Sequence, residues 1–276
     1  MTAERTHDVA IVGLGAMGSA AAFELSRRGV DVIGFDRFTP PHTFGSSHGD
    51  TRIIREAYFE HPVYVPMVQR AFELWRDLER LSGTALLQQT GGLMIGAPAS
   101  ALVAGALLSA QLHGLQHELL LAREIRARFP VLNPEPHMVG VWEPRAGVLS
   151  PEACVGAQLE QARRCGASLR FEEPVSRWQP TDGQMSVFTG LGHYRARHLI
   201  ISAGAWANAL MPERLPFRVE RQALHWFAPE SDADAFKPER CPIHLWQFDG
   251  ERFFYGFPDL GAGLKMAFHH LSLIHI

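Results

Sequence analysis

The hydrophobic pattern opens with a short apolar run, Val9–Val12, that ends at Gly13, the form of a strand buried on both faces of a parallel sheet. Glycines follow at 13, 15 and 18 in G-L-G-A-M-G. A helix-compatible stretch from Ser19 to Arg28 then stops at Gly29, a C-terminal cap. A second β-rich run, Val30–Phe35, ends at Asp36. Together these predict a βαβ start. Gly13 permits the tight turn, Gly15 lets the backbone approach a pyrophosphate, and Gly18 lets helix and strand pack closely. The helix N-terminus offers its amides to phosphate. Asp36 lies 23 residues beyond Gly13, where a ribose hydroxyl needs an acceptor. The plainer alternative is a glycine-rich turn and a solvated strand-end acid.

Further along, the spacing predicts a helix from Tyr64 to about Leu81, with Val65, Val68, Ala71, Phe72 and Trp75 on one face and Pro66 in its first turn. A strand is expected from Gly91, then helical segments at Ala99–His113 and Ala122–Arg128. Ser150-Pro151 opens a helix that closes before Gly166. Ala167–Phe171 reads as a third strand of the first sheet. Val175–Arg177, Met185–Thr189 and Tyr194–Arg197 form a meander turning at Asp182-Gly183. An apolar strand, His198–Trp206, ends in small residues that let a ligand come close. Val219–Phe227, His244–Phe248, Phe253–Phe257 and Leu264–His269 read as strands.

The fold class expected is α/β, a Rossmann-like nucleotide domain (residues 1–85 and 150–214) interleaved with a mixed-sheet substrate domain (86–149 and 215–270). Such an arrangement puts the ligand at the junction of the two. Composition changes this picture little. At 46% hydrophobic and 20% charged residues, with a formal net charge of -3, the chain is a soluble globular type with no basic run. Neither nucleic acid nor membrane is expected as a partner. Cys154, Cys165 and Cys241 form no CxxC pair, which argues for a reducing compartment. The N-terminus lacks an apolar signal core, so a cytoplasmic location is expected. No metal site is expected.

The choice between NAD and FAD turns on the residues after Asp36. A plain NAD domain enters another helix there, whereas this chain continues Phe38-Thr-Pro-Pro-His-Thr-Phe-Gly-Ser-Ser-His-Gly-Asp-Thr-Arg52, a loop built to hug a ligand. The strings D-V-A-I-V-G-L-G-A-M-G, P-P-H-T-F-G-S-S-H-G-D-T-R-I-I-R and I-I-S-A-G-A-W resemble the monomeric sarcosine oxidase and N-methyltryptophan oxidase family, within the D-amino-acid-oxidase-like FAD-dependent oxidoreductases. The later Y-G-F-P and G-L-K-x-x-x-H fit as well. The resemblance runs in order from about residue 8 to residue 270.

The resemblance implies FAD-dependent oxidation of the secondary amine of an N-methyl amino acid, with hydrolysis of the resulting imine and reduction of O2 to H2O2, by a monomer. It implies that Arg55 grips the substrate carboxylate, that Arg52 lies against the flavin ring, and that His48 sits beside the flavin. It further implies that Lys265 promotes oxygen activation and that Tyr255 and His269 belong to the substrate pocket. Gly13, Gly15, Gly18, Asp36, Ser46, Val175, Gly204 and Trp206 fall at cofactor-contacting positions. Glu60 braces the arginine segment, and Tyr58 packs.

Read from residues alone, Arg52 and Arg55 share a face of a helical turn, and a solvated surface pair is the reading preferred to a functional one. Lys265 reads as an edge-strand charge, and His48 as a loop hydrogen-bonder. Trp226, Phe227 and Trp246 line an aromatic pocket or pack in the core. Family chains continue past this end, in a part that carries the flavin-attachment cysteine. Leu271–Ile276 resembles a translated library adaptor, a non-native tail, so the implied activity belongs to a full-length product. Three other readings stay open: a D-amino-acid or glycine oxidase relative, an NAD-dependent dehydrogenase, and an inactive fragment.

Overall fold

A computed structural model describes residues 6–250 and 252–268. The chain begins β1 (Thr6–Val12), α1 (Ala16–Ser26), β2 (Val32–Phe35), β3 (Arg52–Ile54) and α2 (Val65–Ser82). It continues β4 (Leu87–Gln89), β5 (Gly92–Gly96), α3 (Ala101–Leu112), β6 (Glu118–Leu121), α4 (Ala122–Arg128), β7 (Val139–Glu143), β8 (Gly147–Leu149) and α5 (Pro151–Arg164). The remainder is β9 (Ser168–Arg170), β10 (Val175–Thr181), β11 (Gln184–Thr189), β12 (His193–Ile201), α6 (Ala207–Leu210), β13 (His225–Phe227), β14 (Ile243–Asp249), β15 (Arg252–Gly256) and β16 (Leu264–Phe268).

These elements separate into two compact units. Unit 1 comprises residues 1–50, 77–86 and 150–220, and unit 2 comprises 51–76, 87–149 and 221–276. Thr51–Arg76 thus groups with the second unit, whereas the sequence pattern carries the first segment through residue 85. The cause is β3, which finds its hydrogen-bond partner in β8.

Unit 1 is a six-stranded sheet in the order β10-β11-β12-β1-β2-β9. β1 runs parallel to β2 and β12, and β2 parallel to β9, while β10, β11 and β12 form the antiparallel meander. Parallel strands covered on both faces need unbroken apolar runs, and Ala10, Ile11, Val32, Ile33 and Phe35 are all enclosed. Helix α1 buries only small residues and Phe23. The meander turns at Asp182 and Gly183, both at positive φ (53° and 75°), as the Asp-Gly pair predicts. Ser150 precedes Pro151 at the start of α5, and Gly166 lies just past its end at φ 93°.

Unit 2 holds a seven-stranded mixed sheet, β13-β16-β15-β14-β5-β7-β6, and a three-stranded one, β3-β8-β4. Its largest core joins Met94, Leu102, Val103, Ala106, Val141, Ile243, Leu245 and Phe257. The apolar face of α2 supplies Phe72 to a smaller core with Ile54 and Leu87.

Several expectations change. Arg52–Ile54 is a strand, so the shared helical turn for Arg52 and Arg55 is not formed. β16 lies between β13 and β15, and Lys265 is an interior-strand residue, not an edge charge. Val219–Phe227 yields only the strand His225–Phe227. Trp226 and Phe227 are exposed and not core, while Trp246 stacks on Phe254 with ring centroids 5.5 Å apart. His269 and the 271–276 tail lie outside the described residues.

His244 is enclosed in unit 2, and its Nδ1 donates to the Pro242 carbonyl at 3.2 Å. Burial, partly opposed by that bond, pushes its pKa from 6.5 down to about 4. Below pH 6.5 the unfolded chain therefore takes up a proton that the folded chain refuses, and stability falls until about pH 4. The loss is expected to reach roughly 3 kcal/mol across that window. Urea unfolding of the wild type and of His244→Gln at successive pH values checks this. Equal slopes in the two proteins would exclude it.

Candidate active site

Unit 1 carries a groove of about 450 Å³ at the C-terminal ends of β1 and β2, where open α/β sheets bind their ligands. Gly13 turns the chain at φ 94°, and a Cβ there would lie 2.5 Å from the Ser202 carbonyl oxygen. Gly15 is the N-cap of α1 and offers no side-chain cap. The amide of Ala16 donates to Ser47 Oγ at 3.0 Å, so the loop after β2 reaches back to the helix N-terminus. Asp36 is buried. Its Oδ2 accepts from the Leu14 amide (2.8 Å) and its Oδ1 from the Phe38 amide (2.9 Å). The acid therefore ties the glycine loop to the strand end, and a carboxylate with about four acceptor positions keeps others for a ribose hydroxyl.

Ser46, Val175, Gly204 and Trp206 line the same groove. Gly18 does not line it but seats α1 against the glycine turn. His48 is half-buried in the loop, outside the lining. Arg37, His42, Ser47 and Glu173, which the sequence pattern did not single out, also line the groove. The Arg37 guanidinium lies 5.6 Å from the Trp206 ring centroid. Ser47 is adjacent to the motif residue Ser46, whereas Glu173 carries no local signal, because its neighbour Asp36 is distant in sequence. The glycine cradle, the start of α1 and the paired acid fit a bound dinucleotide.

In unit 2 one carbonyl gathers two predicted residues. The Thr51 carbonyl oxygen accepts from Arg52 Nη1 (2.7 Å) and from Lys265 Nζ (3.0 Å), and Thr51 Oγ1 accepts from Lys265 at 2.9 Å. Lys265 is only 2% exposed. Its ammonium lies 5.0 Å from the Phe257 ring centroid and 5.6 Å from that of Trp226, so a buried charge is met by hydrogen bonds and ring faces. Burial raises the pKa of the Tyr255 hydroxyl, and the nearby Arg52 pulls it back in part. The phenol therefore stays protonated and able to donate.

Arg55 follows β3 and is 6% exposed. Its Nη2 donates to both oxygens of Glu60, at 2.8 and 3.1 Å, and its guanidinium lies 4.4 Å from the Tyr58 ring centroid and 5.2 Å from that of Phe59. The segment is held from below. Glu143, buried at the end of β7, accepts from the amides of Glu56 (2.6 Å) and Ala57 (2.8 Å). Burial raises the pKa of Glu143 against the pull of those amides, and burial likewise raises that of Glu56, opposed by Arg145. Neither acid stood out in the sequence. The thiols of Cys154 and Cys241 are pushed up to about 12 by burial, which leaves them poor nucleophiles. Among the described residues no cluster of His, Cys, Asp and Glu is arranged for a metal ion, and no helix is long and apolar enough to cross a membrane.

A βαβ nucleotide-type sheet interleaved along the chain with a mixed sheet, and a groove suited to a dinucleotide, define a two-unit dinucleotide-binding protein. The FAD dependent oxidoreductase (DAO) family matches residues 8–270, and the chain belongs to it, with FAD as its cofactor. The NAD-dependent reading is thereby set aside. The chain is similar to monomeric sarcosine oxidase from Streptomyces avermitilis, 45% identical over 273 residues that span 98% of this chain and 71% of that one. It is 34% identical over 264 residues to N-methyl-L-tryptophan oxidase from Salmonella arizonae, across 96% of this chain and 70% of that one. Among solved structures, L-proline dehydrogenase from P. horikoshii superposes with a TM-score of 0.78 at 18% identity, covering 97% of this chain and 71% of that one, a likeness of fold.

Proposed function

We propose that the protein oxidises the secondary amine of an N-methyl amino acid, with O2 reduced to H2O2, and that it acts as a cytoplasmic monomer. The observation that carries this reading is Arg55, a nearly buried guanidinium close to the rings of Tyr58 and Phe59 that already holds a carboxylate, that of Glu60. A guanidinium fork in that setting suits the carboxylate of an amino acid. The similarity to sarcosine and N-methyltryptophan oxidases supplies the amine.

Gly13, Gly15, Asp36, Ser46, Val175, Gly204 and Trp206 are the residues that would hold FAD, whose bound flavin supplies the two-electron redox chemistry. Arg55 orients the substrate by its carboxylate. The protonated Tyr255 hydroxyl donates a hydrogen bond in the pocket, to which His269 is also assigned. Arg52 and Lys265, which share the Thr51 carbonyl, would supply positive charge for the reduction of oxygen. His48 is assigned a place beside the flavin.

Anaerobic addition of sarcosine, N-methyl-L-tryptophan, glycine or D-alanine to the FAD-loaded protein tests the reading. The N-methyl amino acids should bleach the flavin band, and admitting air should restore it with release of peroxide. Bleaching by the primary amines alone would favour the glycine or D-amino-acid oxidase reading, and no bleaching would sink both. Lys265→Met is expected to lower kcat/KM for oxygen by about 100- to 1,000-fold, the size of a lost electrostatic donor, while leaving anaerobic reduction little changed. Oxygen-dependence kinetics check it. An equal loss in both half-reactions would assign Lys265 to structure.

A further inference from the structure

The groove in unit 1 contains a carboxylate that the proposed amine chemistry does not use. Glu173 is 3% exposed and lines the groove with Pro174, Val175 and Ser176. Its amide donates to the carbonyl of Asp36 at 2.9 Å, so it stands directly beside the residue assigned to the ribose. Its Oε1 accepts from Thr189 Oγ1 and from the Tyr194 hydroxyl, both at 2.7 Å. The Tyr194 ring is itself set edge-on to Phe35, with centroids 4.9 Å apart. These contacts fix the carboxylate in one orientation. Among the described residues Oε2 accepts no hydrogen bond.

We propose that Glu173 selects the base of the bound dinucleotide, accepting the 6-amino group of adenine and rejecting 6-keto purines. The base is carried on the ribose, and a ribose held by Asp36 brings its base to the neighbouring residue. Oε2 offers lone pairs to the groove, and the amino group of adenine donates to them. The O6 of hypoxanthine would set lone pair against lone pair at that oxygen, and the base would have to leave the position adenine takes before its N1–H could reach the carboxylate. The assignment concerns the cofactor's base and does not depend on which amine is oxidised.

Calorimetric titration of FAD-stripped protein with ADP and with inosine diphosphate tests it. ADP is expected to bind at least about tenfold more tightly, the usual consequence of leaving one buried acceptor opposed. In Glu173→Gln the amide carbonyl keeps Thr189 and Tyr194 and turns an NH2 donor toward the groove. The preference should then level or reverse, with the melting temperature of the nucleotide-free variant close to that of the wild type. Equal binding of the two nucleotides by the wild type would overturn the proposal without recourse to any variant. So would an unchanged ratio in folded Glu173→Gln, or an absence of ADP binding.

Discussion

Protein carrying Gly18→Ala is expected to retain no FAD and to melt well below the wild type. A Cβ at residue 18 would stand 1.8 Å from the Gly13 carbonyl oxygen and 2.7 Å from Ser202 Oγ. The first of these is backbone, and it cannot move aside. The Gly13 amide donates to the Phe35 carbonyl at 2.8 Å, and the Ser202 amide to the Val12 carbonyl at 2.8 Å, which locks the turn among β1, β2 and β12. Helix α1 must therefore lift off the sheet, taking with it the amides that face the groove. The cost should exceed the ~1–3 kcal/mol of ordinary overpacking. Gly15→Ala provides the contrast. Its Cβ would meet Ser47 Oγ at 3.1 Å, a side-chain atom able to yield, so that variant should fold and bind FAD more weakly. Flavin-to-protein absorbance ratios and thermal melts measure both. Full flavin content in Gly18→Ala would mean that α1 does not rest on the glycine turn.

Arg55→Met is the second large effect. On the proposed reading it should raise KM for N-methyl amino acids on the order of 100-fold or more, the range for removing one member of a desolvated charge pair. The fold should survive, because the Glu60 side chain is 37% exposed and can turn to water. A secondary amine without a carboxylate, such as N-methylbenzylamine, should show no comparable change between variant and wild type. Arg55→Lys keeps the charge but loses the two-pronged geometry, and should fall between the two. If the variant handled both amines equally worse, Arg55 would be a structural residue and the carboxylate would be held elsewhere.

Much of unit 1 was legible because its determinants are local. The spacing of Gly13, Gly15 and Gly18 sets a turn and a helix start within a few residues, and the apolar runs on either side have no other use than a buried strand. Ser150-Pro151, Gly166 and Asp182-Gly183 likewise announce a helix start, a helix end and a hairpin through backbone preferences that each residue carries with it. The family strings led to Arg55 and Lys265, but a string does not say what a side chain touches.

What the chain declares by itself is the nucleotide fold, the βαβ start, the acid after β2 and the cofactor-hugging loop, since turn geometry and apolar periodicity act over a handful of neighbours. Only the tertiary structure decided that Arg52 belongs to a strand paired with β8, that Lys265 is interior and shares the Thr51 carbonyl with Arg52, that Glu143 props the Arg55 segment, and that Glu173 stands beside Asp36. Three-residue strands have too few residues to show a period, and the burial of a charge depends on partners that folding brings from far along the chain.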